Sequence, residues 1–447
     1  MKTATDSRQW FTHLLQQGDN SAATEAHAWM KQAREHASSA LHTLPLPNKK
    51  QEAWRYTSIE GLLEHEFEPV STDFDALQIE DIDNWLLPDT DAYRLVFANG
   101  RCVPALRNFD QLPEGVTIGS LRHALSHDPK SLAIWFGQTA NHNEHIFTAL
   151  NTALINDGVF IHLQRNVVLD RPIEIMHLNL GLDKPQLIQP RNLLVLERGA
   201  NAQLIERYES TGESVYFYNA VSEILLEDNA VLTHYRLQQE SPRAYHLHQS
   251  FLAQAAHSQY RSSYLALGGK WARHDLDVRF QAQGAECDTS GLYLVGDKQL
   301  SDQHLDIQHN LPHNASRHTY KGILYGNGRA VFDGRILVEK DAQQTDAHLS
   351  NKNLLLSRNA EVDTKPQLEI YADDVKCSHG TTVGQLEPEQ LFYLRSRGID
   401  TATAMKMLCL GFAGEILDGI EQAPLREYAE QQIQTLLAKA TDNMGAA

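Results

Sequence analysis

The most chemically specific residues of this chain fall in one short run, Asp373-Asp374-Val375-Lys376-Cys377-Ser378-His379-Gly380. Read as an extended strand, alternate side chains share a face: Asp373, Val375, Cys377 and His379 lie on one side, Asp374, Lys376 and Ser378 on the other. A thiol and an imidazole two residues apart offer a soft and a borderline ligand, the pairing that suits zinc, iron or an iron–sulfur cluster. Lys376 between them is expected to favour the thiolate of Cys377. Two ligands fill only half of a tetrahedral set. Three readings stay open at this point: a buried cysteine beside a hydrogen-bonded histidine with no metal role, a site completed by distant strands of the same chain, or a site completed by a partner across an interface.

The other candidate ligands come in smaller or looser sets. His246 and His248 alternate along one strand face, His142 and His145 share a helix face, and His309, His313 and His318 are close in sequence. Each set reads equally as exposed polar side chains or hydrogen-bonded histidines. The chain holds 22 histidines but four cysteines, Cys102, Cys287, Cys377 and Cys409, whose separations of 185, 90 and 32 residues fit neither a disulfide framework nor CxxC metal knuckles. No GxxxxGK[ST] phosphate loop and no GxSxG elbow occurs, and Glu64-His65-Glu66-Phe67-Glu68 lacks the spacing of HExxH. Gly326-Asn327-Gly328 is followed by a strand pattern where a dinucleotide loop needs a helix.

These residues have to be positioned by a scaffold of 447 residues with 39 basic and 57 acidic side chains, a formal charge of −18. That balance argues against general nucleic-acid binding, which needs cations to replace phosphate counterions. No stretch reaches the roughly 18 uncharged apolar residues of a membrane helix, and Met1 to Leu15 carry no signal-peptide core, so a cytoplasmic protein is expected. Residues 1–149 read as mainly helical, with Trp10, Phe11, Leu14 and Leu15 at helical spacing. Within them Tyr93 to Ala98, Asn99-Gly100 and Arg101-Cys102 read as a hairpin on a type I′ turn. Over 150–385 the pattern changes to short apolar runs such as Val159 to Leu163, Asn192 to Leu196, Val231 to Leu237 and Leu368 to Ile370. Small turn residues recur at Asn201-Ala202, Asn229-Ala230, Ala255-Ala256, Gly284-Ala285 and Asn314-Ala315, then at Ala330 and Ala360. The steps are close to 28 residues, with one half step before Ala330.

Strand content with that period predicts stacked coils of a parallel β-solenoid, right-handed because the hexapeptide repeat of left-handed helices is absent. A large β-sandwich is the alternative. From 386 to 447 helical spacing returns: Pro388 opens one helix, Gly398 closes it, Asp400 caps a second, and a third follows Pro424. Their apolar side is expected to dock on the solenoid end or on another protein. The fold class is therefore mainly β, a right-handed parallel β-helix core flanked by N-terminal and C-terminal helical domains.

The run LLLSRNAEVDTKPQLEIYADDVKCSHGTTVGQLEPEQLFYLRSRGIDTATAMKMLCLGFAGEIL, with EAWRYTSI from Glu52, LNTALINDGVFIHL from Leu150, RPIEIMHL from Arg171 and LLVLERGANAQLIERYES from Leu193, resembles the SufB/SufD family of iron–sulfur cluster assembly proteins along nearly the whole chain. The Cys377-Ser378-His379-Gly380 form and the sparse cysteines are similar to its SufD branch. The resemblance implies a non-catalytic scaffold subunit in a complex with SufB, met at the β-helix edge, and with the ATPase SufC, met at the C-terminal helices. It implies that His379 and Cys377 help acquire iron and form the nascent cluster together with SufB. It marks Phe392, Tyr393, Arg395, Arg397, Met405, Leu408 and Phe412 as the SufC-docking region. No cofactor held stably by this chain alone is expected, only transient iron or an iron–sulfur cluster within the complex, and a homodimer is left open for the isolated chain. Two other classes remain to be weighed: a polysaccharide-active β-helix enzyme, for which the adjacent Asp373 and Asp374 make a poor acid/base pair, and an inert structural adaptor.

Overall fold

The short apolar segments after Asn151 are the strands of a parallel β-solenoid of about eight turns. The computed structural model describes residues 4–18, 27–70, 74 and 76–445. Each coil gives one strand to each of two sheets, and a strand pairs with its counterpart one coil on. One sheet runs from Val159–Leu163 and Arg191–Leu196 through Tyr216–Leu226, Tyr245–Gln254, Trp271–Phe280, Leu300–His309 and Arg329–Val338 to Glu361–Ile370. The other runs from Tyr93–Ala98 and Ile173–Asn179 through Asn201–Ser210, Val231–Gln239, Gln259–Ala266, Glu286–Val295, Ala315–Leu324 and Asp346–Leu355 to Lys376–Gly384.

The rungs of the second sheet fall at Asn201, Val231, Gln259, Glu286, Ala315, Asp346 and Lys376, steps of 27 to 31 residues. The half step in the sequence pattern is the passage from one sheet to the other within a coil: Ala315 opens a strand of the second sheet, whereas Ala330 lies in the first. Asn201-Ala202 is displaced from the true turn, because Ala202 pairs with Leu232 inside the ladder. The turn itself is marked by a left-handed residue that recurs at Gly199, Asn229, His257, Gly284, His313 and Gln344. His313 is thus a turn residue.

The inner faces fill in two bands. In the apolar band Ile224, Leu252, Val278, Ile307 and Ile336 of the first sheet meet Leu232, Tyr260, Cys287 and Ala347 of the second. Burial pushes the Cys287 thiol up, so that cysteine is a core residue. Beside this band runs a polar one. Glu206 accepts from Arg236 Nε at 2.9 Å and from the Tyr208 hydroxyl at 2.8 Å, and His234 Nε2 lies 3.1 Å from it. Burial alone would raise the Glu206 carboxyl; Arg236 and the flanking His177 and His234 outweigh it and hold the group well below the usual carboxylate range. Arg236 also donates to His274 Nε2 at 2.8 Å, and His248 bridges Tyr208 and Ser222. Burial, then Arg236, keeps both of these imidazoles neutral. His177, His234, His246, His248, His274, His309 and His318 are all buried, so these histidines are interior groups and not surface side chains.

Large and small side chains complement each other between coils. Gly291 lies opposite Tyr320, where a Cβ would come within 2.4 Å of the ring, and Gly322 opposite Tyr293, where it would come within 2.1 Å.

The two ends of the stack are finished differently. At the N-terminal end antiparallel strands close both sheets: Val116–Ser120 pairs with Val159–Leu163, and Arg101–Cys102 pairs with Tyr93–Ala98 across Asn99 and Gly100, whose φ values of 45° and 79° are those of the expected turn. The helices Ala4–Gln17, Ala28–Thr43 and Ile146–Leu154 bury Phe11, Leu14, Leu41 and Phe147 with Phe217, Leu247 and Trp271 of the first sheet. The segment after Pro47 clamps there too: Arg273 lies 4.0 Å from the Trp54 ring centroid, and Thr57 Oγ1 donates to Asp302. The helices Thr401–Leu417 and Ala423–Gly445 lie along the outer face of the second sheet, where Cys409, Ala413, Ile416, Leu425, Ile433 and Leu437 cover Tyr235, Leu237, Leu265, Leu292 and Ile323. They dock on the side of the solenoid, in place of the expected end, because the second sheet carries apolar residues on its outward positions as well. The C-terminal coil, Glu361–Ile370 and Lys376–Gly384, forms the edge of both sheets.

Burial holds His309 and His318 down to about 3 in the fold, against about 6.5 in an unfolded chain. The unfolded chain therefore binds protons first as pH falls, so this contribution to stability is intact above about pH 6.5 and is lost progressively toward pH 3. Each histidine is expected to remove about 2 kcal/mol by pH 5. Thermal melting of His309→Gln/His318→Gln against the parent between pH 7 and pH 4 should show a shallower acid limb; parallel limbs would contradict neutral burial.

Candidate functional site

The last coil presents the residues that stood out in sequence. Its strand begins at Lys376, so Asp373 and Asp374 belong to the preceding bend and not to the strand as expected; the Asp374 N–H donates to Gln343 Oε1 at 2.9 Å. From Lys376 onward the alternation holds. Cys377 sits over Ala347 and His379 over Leu349, two residues of the apolar interior, so thiol and imidazole line the mouth of the solenoid side by side. Ser378 points outward, 2.6 Å from His348 Nδ1, whose Nε2 lies 2.7 Å from Asp346.

Cys377 is half-buried against the end of the core with Leu368 and Val375, and His379 is exposed. Burial and, after it, the Asp346 carboxylate raise the thiol above its ordinary range, although its contact with the Ala347 backbone acts the other way. The expected Lys376 effect is overturned, because that side chain stands on the opposite, exposed face. In the free chain Cys377 is a protonated thiol that must give up its proton, to solvent or a base, when it binds a metal. Among the described residues no group of three or more His, Cys, Asp and Glu side chains converges as a metal site. What the coil does offer is an open strand edge of nine residues with its own N–H and C=O groups. Ile370, Tyr371 and Val383 are exposed beside it at 40%, 61% and 50%.

His142 and His145 do not share a helix face: His142 lies in a turn and His145 precedes the helix Ile146–Leu154. The seven buried histidines were missed as a group because their signal, alternation with apolar residues along successive strands, is shared by any inward-facing residue.

A second surface lies on the C-terminal helices. On Pro388–Ser396, Phe392 and Tyr393 are 73% and 58% exposed, and Arg395 and, just beyond the helix, Arg397 are exposed with them. Arg397 folds back onto Tyr393, its guanidinium 5.3 Å from the ring centroid and its Nη2 donating to the hydroxyl at 3.2 Å. Tyr393 and Leu408 line a hollow of about 350 Å³ bordered by Glu387 and Glu389, and Met405 is half-buried. Phe412 departs from this set. It packs against the covered side of the helix, its ring lies 4.8 Å from Lys321 Nζ, and its carbonyl accepts from the same ammonium at 2.7 Å. Met407, 47% exposed, takes its place on the open surface.

Residues 179–412 match the family described as SUF system FeS cluster assembly, SufBD core domain, and residues 5–175 match the SufBD protein N-terminal region. The iron–sulfur cluster assembly protein SufD of Escherichia coli is 33% identical over 94% of this chain and 96% of its own length. An iron–sulfur cluster assembly SufBD family protein of Synechocystis is 37% identical over 89% of each chain. The chloroplast protein ABCI7 of Arabidopsis thaliana is 28% identical over 93% of this chain and 88% of its own.

The four thiols differ in access. Cys287 and Cys409 are buried, and burial pushes Cys102 and Cys409 up to about 12. Iodoacetamide labelling of the native chain followed by peptide mass spectrometry is expected to modify Cys377 first, with a rate that climbs only above about pH 9. Fast labelling of Cys377 at pH 7 would show a thiolate and contradict the burial argument.

Proposed function

The chain belongs to the SufB/SufD family and acts in iron–sulfur cluster assembly in the SUF system, and on that premise we propose that it is a non-catalytic cytoplasmic scaffold whose terminal coil joins SufB and forms one wall of the assembly site. The observation that carries the reading is the half-complete ligand pair, Cys377 and His379, at the mouth of an unpaired coil. Iron and sulfide are the cargo. A partner strand added along Lys376–Gly384 satisfies the open edge by β-augmentation and covers Ile370, Tyr371 and Val383. The same approach brings foreign ligands to the Cys377 and His379 side chains, and iron bound there displaces the thiol proton to solvent. SufC is the proposed partner of the C-terminal helices, through Phe392, Tyr393, Arg395 and the hollow beside Leu408.

His379→Ala, expressed with the other components of the system in cells that depend on it, is expected to lower cluster delivery to client enzymes while leaving the complex intact; unchanged delivery would remove His379 from the site. Docking is tested by substitution, since removing everything after Leu386 would bare the apolar outer face of the second sheet. Phe392→Ala/Tyr393→Ala is expected to weaken SufC copurification by at least tenfold, the loss of one or two aromatic anchors. Undiminished copurification would place SufC elsewhere.

A further inference from the structure

At the sealed end of the solenoid, opposite in the stack to Cys377 and His379, a cleft of about 970 Å³ opens between the Val116–Ser120 strand, the helix Leu121–His127 and the segment after the hairpin. Its floor is apolar, with Ile118 and Phe160 buried beneath it. Its rim is cationic: Arg107 and Arg122 line it together with His123 and His127, whose rings stack at 3.9 Å.

The arginines here differ from the ion-paired ones along the coils. Arg191, Arg273, Arg279 and Arg335 each hold a carboxylate at 3.4 Å or less. Neither Arg107 nor Arg122 has a carboxylate partner among the described residues; the Arg107 guanidinium lies 5.3 Å from the Phe109 ring centroid. The two acids that line the cleft among the described residues are engaged elsewhere. Asp157 is buried and accepts from the Ser120 hydroxyl at 2.7 Å and from the N–H groups of Gly158, Cys102 and Arg122 at 2.9, 3.0 and 3.1 Å. Asp128 caps the next helix through the Ser131 N–H. In a chain of net charge −18 this is a local positive field. Partial burial, then His127 and Arg107, lowers the basicity of His123, as such a field requires.

We propose that this cleft binds a small phosphorylated molecule with an apolar body, its phosphates held by Arg107 and Arg122 and its body laid on Ile118 and Phe160. Guanidinium groups suit the geometry of phosphate oxygens, and the volume fits a nucleotide-sized ligand. The assignment is independent of cluster chemistry at the far end.

Isothermal titration of the full-length chain with ADP and with inorganic pyrophosphate tests it. ADP is expected to bind with a dissociation constant below about 1 mM, at least tenfold tighter than pyrophosphate. Arg107→Glu/Arg122→Glu is expected to weaken ADP binding at least tenfold at an unchanged melting temperature, whereas Arg358→Glu, at an exposed position in the turn between Asp346–Leu355 and Glu361–Ile370, leaves it unaltered. If the double variant does not fold, Arg107→Gln alone, at an exposed side chain, carries the same expectation with a smaller loss. No binding of either probe at 10 mM, or equal binding by parent and variant, overturns the site. Equal affinity for ADP and pyrophosphate overturns the apolar body.

Discussion

In a parallel stack every strand satisfies its N–H and C=O groups through the coil before it and the coil after it, and its inner side chains are buried by the same two neighbours. The first and last coils each lack one neighbour. Here the first is closed by two antiparallel strands with helices beside them, and the last is left with its edge and part of its inner face bare. That asymmetry underlies the proposal of the terminal coil as the assembly site. Cys377 and His379 occupy interior positions, one above Ala347 and the other above Leu349, that would be inert in any earlier coil. They are accessible because no further coil stacks on the strand that carries them.

The flanking segments are held to the solenoid by a recurring device. Three buried arginines project from the outer faces of the sheets, each paired with an acid and each roofed by an aromatic ring from a flanking segment. Arg191 pairs with Glu223 under Phe136, Arg207 with Glu209 and Glu174 under Tyr428, and Arg273 with Asp302 under Trp54. Desolvating such a pair offsets most of its Coulombic gain, but removing one partner strands a buried charge at a cost of about 3–5 kcal/mol. The arginines therefore specify where each segment sits more than they add to stability. The N-terminal and C-terminal helices are consequently fixed on different sheets; Glu52 of the N-terminal region reaches Lys365 of the terminal coil, and the edge of Lys376–Gly384 stays unpaired.

Much of this was legible in sequence. The period of the turns, the Asn99-Gly100 hairpin and the caps at Glu387-Pro388 and Asp400 are local signals, and local backbone chemistry decides them. The alternation of Cys377 and His379 was readable for the same reason. What was not legible depends on neighbours distant in sequence. The strand at the site begins at Lys376 because Asp374 is tied to Gln343 in the previous turn. Cys377 is a thiol because of burial and Asp346, 31 residues earlier, whereas the adjacent Lys376 faces away. Phe412 and Met407 exchange roles because the covered side of their helix is set by the sheet beneath it. His234, His248, His274 and His318 pair with residues one or two coils away, and no spacing within one strand reveals that.

The Tyr320 ring over Gly291 and the Tyr293 ring over Gly322 give each coil a shape that only its own neighbours complement. Repeat arrays built from interchangeable units can be lengthened or trimmed one unit at a time. This solenoid cannot: excising a coil would set a ring against a ring or a glycine against a void. The distance between the cleft at one end and the open strand at the other is thereby a fixed property of the molecule.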